Sequence, residues 1–441
     1  MNLTQGLNDL VAVALVATLA PIIVAVLPGP RVPQVVIFLL GGILIGPHVL
    51  GLAETSSIKL VANIGLGFLF LLAGYELDPA LLRQQPGRLA IGGWLISAAI
   101  AVGVAAGMTA AGYIRDYVPV GLALTTTALG TLLPILRDND MLVGRFGRDV
   151  YAAGAVGELF PILIIAVFLT RRGHFIALAS VALVGVLAVA LTAVPWLTGH
   201  RAVQRIVQEG QDETAQITLR GAMVLLFVLL AVASRFGLDV VLGALLAGMV
   251  MRGWAHQSNM DITSLEHKLD AIGYGIFIPI FFISSGMSLD LKAIAHDPLR
   301  MLLFFALLLI VRGLPSLLIY RRELPARQRV EMTFITATTL PLLIALVDIG
   351  QQDGVMLPAT AAALVGAGVL SVLVYPLIAV TLHRSAPPTP ADVAVPAAEP
   401  AAGTSPAPDN PEPSDQGDQS PQPLGLPARQ ASGRRPAAVS M

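Results

Sequence analysis

A chain of 441 residues, 55% hydrophobic and 12% charged with a mean hydropathy of +0.77, is not an ordinary soluble protein; soluble domains carry about twice that charged fraction. The net charge of −1 gives no pull toward nucleic acid, and the absence of cysteine excludes disulfides, thiolate metal sites and thiol redox chemistry.

The apolar residues fall into blocks close to the about 20 residues that cross a bilayer as a helix. Thirteen spans are predicted, the first three at roughly 9–28, 33–51 and 60–77. The first lacks a basic n-region and a cleavage site, so it reads as a retained helix and not as a signal peptide. Spans at roughly 88–113, 118–136 and 149–170 follow, then one at 175–197. The short break Arg235-Phe236-Gly237 divides a span at 216–234 from one at 238–252. Four more, at roughly 271–289, 301–320, 330–348 and 356–382, complete the set. Residues 1–384 therefore form the membrane domain of an all-α protein. From Ser385 to Met441 the chain is rich in Pro, Ala and Ser, a composition that cannot bury a core and predicts a disordered tail. Lys and Arg number fifteen in one set of alternate loops and seven in the other. The richer side is expected to be cytoplasmic, with the N-terminus outside and the tail inside a cell's inner (plasma) membrane.

The halves of the membrane domain resemble each other. "FLLGGILIG" (38–46) aligns with "ALLAGMVMR" (244–252) at an offset of 206, and "AGYELD" (73–78) with "SGMSLD" (285–290) at 212. "TTTALGTLLP" (125–134) meets "ATTLPLLIAL" (337–346), again at 212. A first repeat at about 33–170 and a second at about 238–382, joined by a linker helix at 175–197, differ by seven spans and so are inverted across the membrane. Inverted repeats recur in secondary transporters. Spans five and twelve each pair a threonine cluster with a proline: Thr125, Thr126, Thr127, Thr131 and Pro134 in one, Thr336, Thr338, Thr339 and Pro341 in the other. Proline removes a helix hydrogen bond, and hydroxyls can satisfy freed carbonyls or offer oxygen to a cation. Matched interrupted helices point to a midplane ion site; kinks tolerated for packing are the plainer reading.

Two ionisable residues lie well inside apolar spans, Glu158 and Arg312. Each costs on the order of 3 kcal/mol at the bilayer centre. A carboxylate there can hold a proton or a cation but not easily both, whereas arginine stays charged. The alternative is an ion pair between the two that pins helices together. Asp348, Glu76, Asp78 and Asp290 sit at span ends and read as solvated or interfacial. The histidines show no metal-ligand spacing, and neither a phosphate-cradling loop nor a nucleophile–His–acid arrangement is present.

The segments "VPQVVIFLLGGILIGPHVLGL" (32–52), "GLGFLFLLAGYELDPALL" (65–82), "GLDVVLGALLAGMVM" (237–251) and "IPIFFISSGMSLDL" (278–291) resemble the monovalent cation:proton antiporter-2 family of Kef- and NapA-type proteins. The resemblance covers about residues 10–382. It implies thirteen helices in a homodimer with elevator-like motion, a core of spans 4–6 and 11–13, and a scaffold of spans 1–3 and 8–10. The family's crossed, unwound helices fall on spans 5 and 12, its ion-binding carboxylate on Glu158 and its basic residue on Arg312. One departure stands out: the family usually has an aspartate preceded by Asp, Asn or Gln, where this chain has Gly157-Glu158.

The sequence thus reads as an antiporter of Na⁺ or K⁺ against H⁺, electroneutral, with membrane lipid around it and no enzymatic activity, cofactor or resident metal. Glu158, Thr126, Thr127, Thr338 and Thr339 are the expected cation and proton site, with Arg312 as charge partner. A ligand-gated cation channel or efflux system on the same scaffold, or a non-transporting membrane sensor, are the alternatives.

Overall fold

In lipid a helix satisfies its own backbone N–H and C=O groups within one segment, and every regular element among the described residues of the computed structural model is helical. Those residues are 3–26, 33–77, 79–137, 139–168, 174–192, 216–236, 238–257, 262–289 and 291–384. The tail from 385, the end of the seventh span, Asp78 and Asp290 lie outside them.

In chain order the helices are α1 (Leu3–Val26), α2 (Gln34–Ile45), α3 (Thr55–Glu76), α4 (Pro79–Arg83), α5 (Gln85–Ala110), α6 (Tyr117–Leu124), α7 (Leu129–Arg137), α8 (Gly144–Phe168) and α9 (His174–Thr192). There follow α10 (Ile217–Arg235), α11 (Val240–Gln257), α12 (Ile262–Ile272), α13 (Ile278–Met287), α14 (Leu291–His296), α15 (Pro298–Leu308), α16 (Pro315–Ile319), α17 (Ala326–Ala337), α18 (Pro341–Gln352) and α19 (Pro358–Arg384). Nine stretches among the described residues are long and apolar enough to cross a membrane, and four shorter apolar ones accompany them, matching the thirteen expected spans. The Arg235–Gly237 break does separate two helices. Asp239 accepts from Val241 N at 2.8 Å and so starts α11 afresh. Asp116 and Asp297 cap α6 and α15 in the same way. The outward faces of α1 and α9 leave Leu7, Val11, Leu15, Phe175 and Val189 exposed, a surface suited to lipid and not to water.

The scaffold follows the sequence offsets closely. α2 packs on α13 and α3 on α11, all through glycine. A Cβ at Gly42 would collide with the carbonyl oxygen of Ile283, and one at Gly248 with that of Leu71. The two glycines differ by the sequence offset of 206, and their two carbonyl partners by that of 212. Likewise Gly74 faces the Leu245 carbonyl, and Gly286 faces that of Leu39, with the same pair of offsets. Four helices are thereby held backbone against backbone in two interchangeable pairs.

Around this scaffold α8 packs on α5, α17 and α15 on α19, and α18 on α6 and α19. Two spans are broken. α6 stops at Leu124 and α7 begins at Leu129; α17 stops at Ala337 and α18 begins at Pro341. Two others carry π-turns, Gly273–Phe277 between α12 and α13 and Leu309–Gly313 between α15 and α16.

Candidate ion-binding site

The first break arises from three consecutive threonines. Thr125 and Thr126 turn their hydroxyls back to the carbonyls of Leu122 and Ala123, both at 2.8 Å, adding a second donor to acceptors that their own amides also reach. Pro134 lies further on, inside α7, so the threonines and not the proline mark the interruption. In the second break Pro341 does mark the restart, at the first position of α18, where a missing N–H costs nothing.

The breaks lie against each other. Ala128 N donates to Thr338 O at 2.9 Å, Thr127 Oγ1 to Thr336 O at 2.7 Å, and the hydroxyls of Thr126 and Thr339 meet at 2.5 Å. Thr338 bonds to Phe334 O on its own helix at 2.9 Å. Thr126, Thr127, Thr338 and Thr339 are all fully buried. The hydroxyls of Thr126, Thr127 and Thr339 tie the crossing together in this conformation.

Glu158, 7% exposed, sits on α8 beside the crossing. Its Oε1 accepts from Leu129 N at 2.9 Å, the first amide of α7 and the positive end of that half-helix. Arg312, 3% exposed, is carried by the π-turn at Leu309–Gly313, and such turns re-aim side chains at functional sites. Its Nε donates to Thr127 Oγ1 and its Nη2 to Ala153 O, each at 2.9 Å. Glu158 and Arg312 are thus held around one point by Thr127 and the chain of α8, but among the described residues no ion pair joins them. Gly157 accounts for that arrangement. A Cβ there would lie 2.6 Å from Thr127 and 2.8 Å from Arg312 Nη2, so the usual family side chain would evict the guanidinium.

The second repeat has its own version of the carboxylate contact. Ser371 stands on α19 at close to the repeat offset from Glu158. It accepts from Thr339 N at 3.1 Å, as Glu158 accepts from Leu129 N. One half carries a carboxylate at this place and the other a hydroxyl.

Two cavities open at opposite ends of α3. The larger, about 490 Å³, is lined by Glu76, Leu77, Arg137, Arg148, Arg252 and Leu129, and so reaches the residue whose amide holds Glu158. The other, about 370 Å³, is lined by Lys59, Asn63, Ser284, Asp348 and the pair Ser288 and Leu289, the repeat counterparts of Glu76 and Leu77. Glu76, expected to be solvated or interfacial, has its Oε2 buried without a hydrogen-bond partner among the described residues. Sequence reading also passed over Asp149 as a residue at the start of a span. α8 begins five residues earlier, and Asp149 is fully buried.

A helical membrane bundle with two broken helices crossing beside a buried carboxylate is an architecture that recurs among secondary transporters. The sodium/hydrogen exchanger transmembrane family model matches residues 12–384, and the chain belongs to that family. It is 27% identical over 394 residues to YjbQ of Bacillus subtilis, covering 85% of this chain and 63% of that protein. It is 26% identical over 367 residues to the glutathione-regulated potassium-efflux system protein KefC of Salmonella typhimurium, covering 79% and 56%. The chain therefore spans somewhat over half the length of these relatives. In fold it is similar to the sodium proton antiporter MjNhaP1 of Methanocaldococcus jannaschii, with a TM-score of 0.60 at 17% identity over 87% of this chain and 97% of that one.

Proposed function

We propose that the protein is a secondary antiporter exchanging a monovalent cation, Na⁺ or K⁺, for H⁺, with Glu158 as the shared site. The observation that carries this reading is a buried carboxylate, held by the backbone amides of Leu129 and Gly130 at the start of α7 and approached by a cavity that Leu129 lines. A carboxylate so placed can take a proton or a bare cation in turn. Arg312 remains charged, and its bonds to Thr127 and Ala153 leave Glu158 unneutralised by an ion pair. With one titrating carboxylate at the crossing, one proton replaces one cation and the exchange is electroneutral. Thr126, Thr127, Thr338 and Thr339 shape the crossing, and their carbonyl and hydroxyl oxygens become available to the cation when it moves.

One cavity lies between α3 and α11 on one side and α7 and α8 on the other, and the second between α3 and α13 on one side and α18 and α19 on the other. That favours elevator motion of a core (α5–α8, α15–α19) past a scaffold (α1–α3, α10–α13), each built from parts of two inverted repeats at about 33–170 and 238–382. The protein works as a homodimer in the plasma membrane with the N-terminus outside and the tail inside.

The test is cation-dependent proton movement in proteoliposomes on adding Na⁺, K⁺, Li⁺ and Rb⁺ separately. Exchange with at least one cation, lost in Glu158→Gln, is expected. Glu158-dependent uptake driven by membrane potential alone would overturn one-for-one exchange, and conduction without proton coupling would favour a channel.

A further inference from the structure

Asp149 is 0% exposed, and neither of its carboxylate oxygens has a hydrogen-bond partner among the described residues. An unpaired buried carboxylate costs several kcal/mol, so a group left this way holds a proton or a ligand that the chain does not supply. Two more buried polar atoms without a partner among the described residues, Tyr320 Oη and Trp94 Nε1, belong to the apolar cluster that also contains Met332 and, near Asp149 in the chain, Phe146 and Val150.

The placement links this layer to the ion site. On α8, Asp149, Ala153 and Gly157 fall at successive four-residue steps and share one face. The carbonyl of Ala153 and the space over Gly157 receive Arg312. Arg312 and Tyr320 lie eight residues apart on the facing span, and Tyr320 is within electrostatic reach of both Arg312 and Asp149. The seam between the two spans therefore runs from the guanidinium to the acid over about 12 Å, eight residues of helix rise.

The surroundings choose between ligands. Arg145, Arg148 and Glu323 are the charges that act on Asp149 beside Tyr320. Arg145 is ion-paired with Glu323 and bonded to Gln85. His383, stacked on Phe146 from α19, is paired with Glu331, which Arg327 also holds. With three arginines on or near the seam a second metal cation is disfavoured, and a proton with ordered water is not. We propose that Asp149 is a second proton-binding site, protonated in this conformation and coupled electrostatically along this seam to Tyr320 and Arg312, and that it shapes the pH dependence of exchange.

The transport part rests on the antiporter reading; the protonation part does not. Infrared spectra of the purified full-length protein, recorded across pH, give the first readout. A protonated-carboxyl band is expected in wild type and in Glu158→Gln, lost in Asp149→Asn and displaced in Tyr320→Phe. Proteoliposome exchange gives the second. Asp149→Asn is expected to exchange with its pH profile moved by about one unit, a tenfold change in proton concentration, whereas Glu158→Gln does not exchange at all. An unchanged carboxyl band together with a superimposable pH profile in Asp149→Asn overturns the proposal. If that variant does not fold, an undisplaced band in Tyr320→Phe overturns it instead. If wild type shows no exchange, the antiporter reading fails while the infrared result still decides the proton site.

Discussion

Gly157→Ala is the sharpest probe of how the crossing is built. In an open helix the change is favourable by about 0.5–1 kcal/mol, because alanine loses less backbone freedom on folding. Here the new methyl would sit 2.6 Å from Thr127 Cβ and Oγ1 and 2.8 Å from Arg312 Nη2. Thr127 cannot yield easily, since its hydroxyl joins Arg312 to Thr336 O and its N–H bonds to Gly157 O. The guanidinium is the softer neighbour, and moving it gives up the Nη2 bond to Ala153 O, worth about 1.5–3 kcal/mol for a charged donor. The net effect is destabilisation by about 1–2 kcal/mol after the helix preference is offset. Gly103 on α5 is the control, because a Cβ there meets nothing within 4 Å. Thermal unfolding of the purified variants in detergent is expected to show a lower midpoint for Gly157→Ala and an equal or higher one for Gly103→Ala. Cation-dependent proton flux in Gly157→Ala is expected to fall about tenfold, the rate equivalent of about 1.4 kcal/mol. A raised midpoint with wild-type flux in Gly157→Ala would refute the assignment of Arg312 to this seat.

Glu158→Asp, measured by the same flux assay, is expected to retain weak exchange, because the shorter side chain draws the carboxylate back from Leu129 N. Arg312→Lys cannot donate both to Thr127 and, as a planar fork, to Ala153, so exchange should drop about tenfold or more. A lysine there can also release a proton, which should make uptake responsive to membrane potential. Gly42→Val drives a branched side chain into the Ile283 carbonyl and is expected to cost about 3 kcal/mol or more, read as loss of the folded, monodisperse protein on size exclusion. Truncation after Arg384 is expected to leave ion flux in proteoliposomes unchanged.

The spans were readable because apolar blocks and polar breaks report directly on what lipid tolerates. Glu158 and Arg312 stood out for the same reason, as charges within apolar runs. Asp149 did not, because Gly-Arg-Phe-Gly-Arg before it looks like loop while the backbone is already helical from Gly144. The threonine clusters marked where the helices break, yet composition does not say which way a hydroxyl points. Thr125, Thr126 and Thr338 point to carbonyls of their own helices, and Thr127 links Arg312 to Thr336 O. Pro134 suggested a break that falls several residues earlier, since the threonines had already captured the α6 carbonyls. The seat over Gly157 was invisible for a related reason. A glycine among many in an apolar helix gives no sign of which large side chain will fill its space, and the guanidinium arrives from the other half of the chain.

The four glycine contacts of α2, α3, α11 and α13 act as a ruler for axial position. A one-residue screw motion, about 1.5 Å of rise with about 100° of turn, would bring a bulkier side chain toward a carbonyl now met by hydrogen alone; the residue after Gly42 is Ile43, and that after Gly74 is Tyr75. Each slip would clash in two places at once, because two such contacts join each pair, Gly42–Ile283 with Gly286–Leu39 and Gly74–Leu245 with Gly248–Leu71. Within each pair the helices are therefore held in lengthwise register by glycine against main-chain carbonyl. The two cavities open along the flank of α3, one where it faces α7 and α8 and the other where it faces α18 and α19.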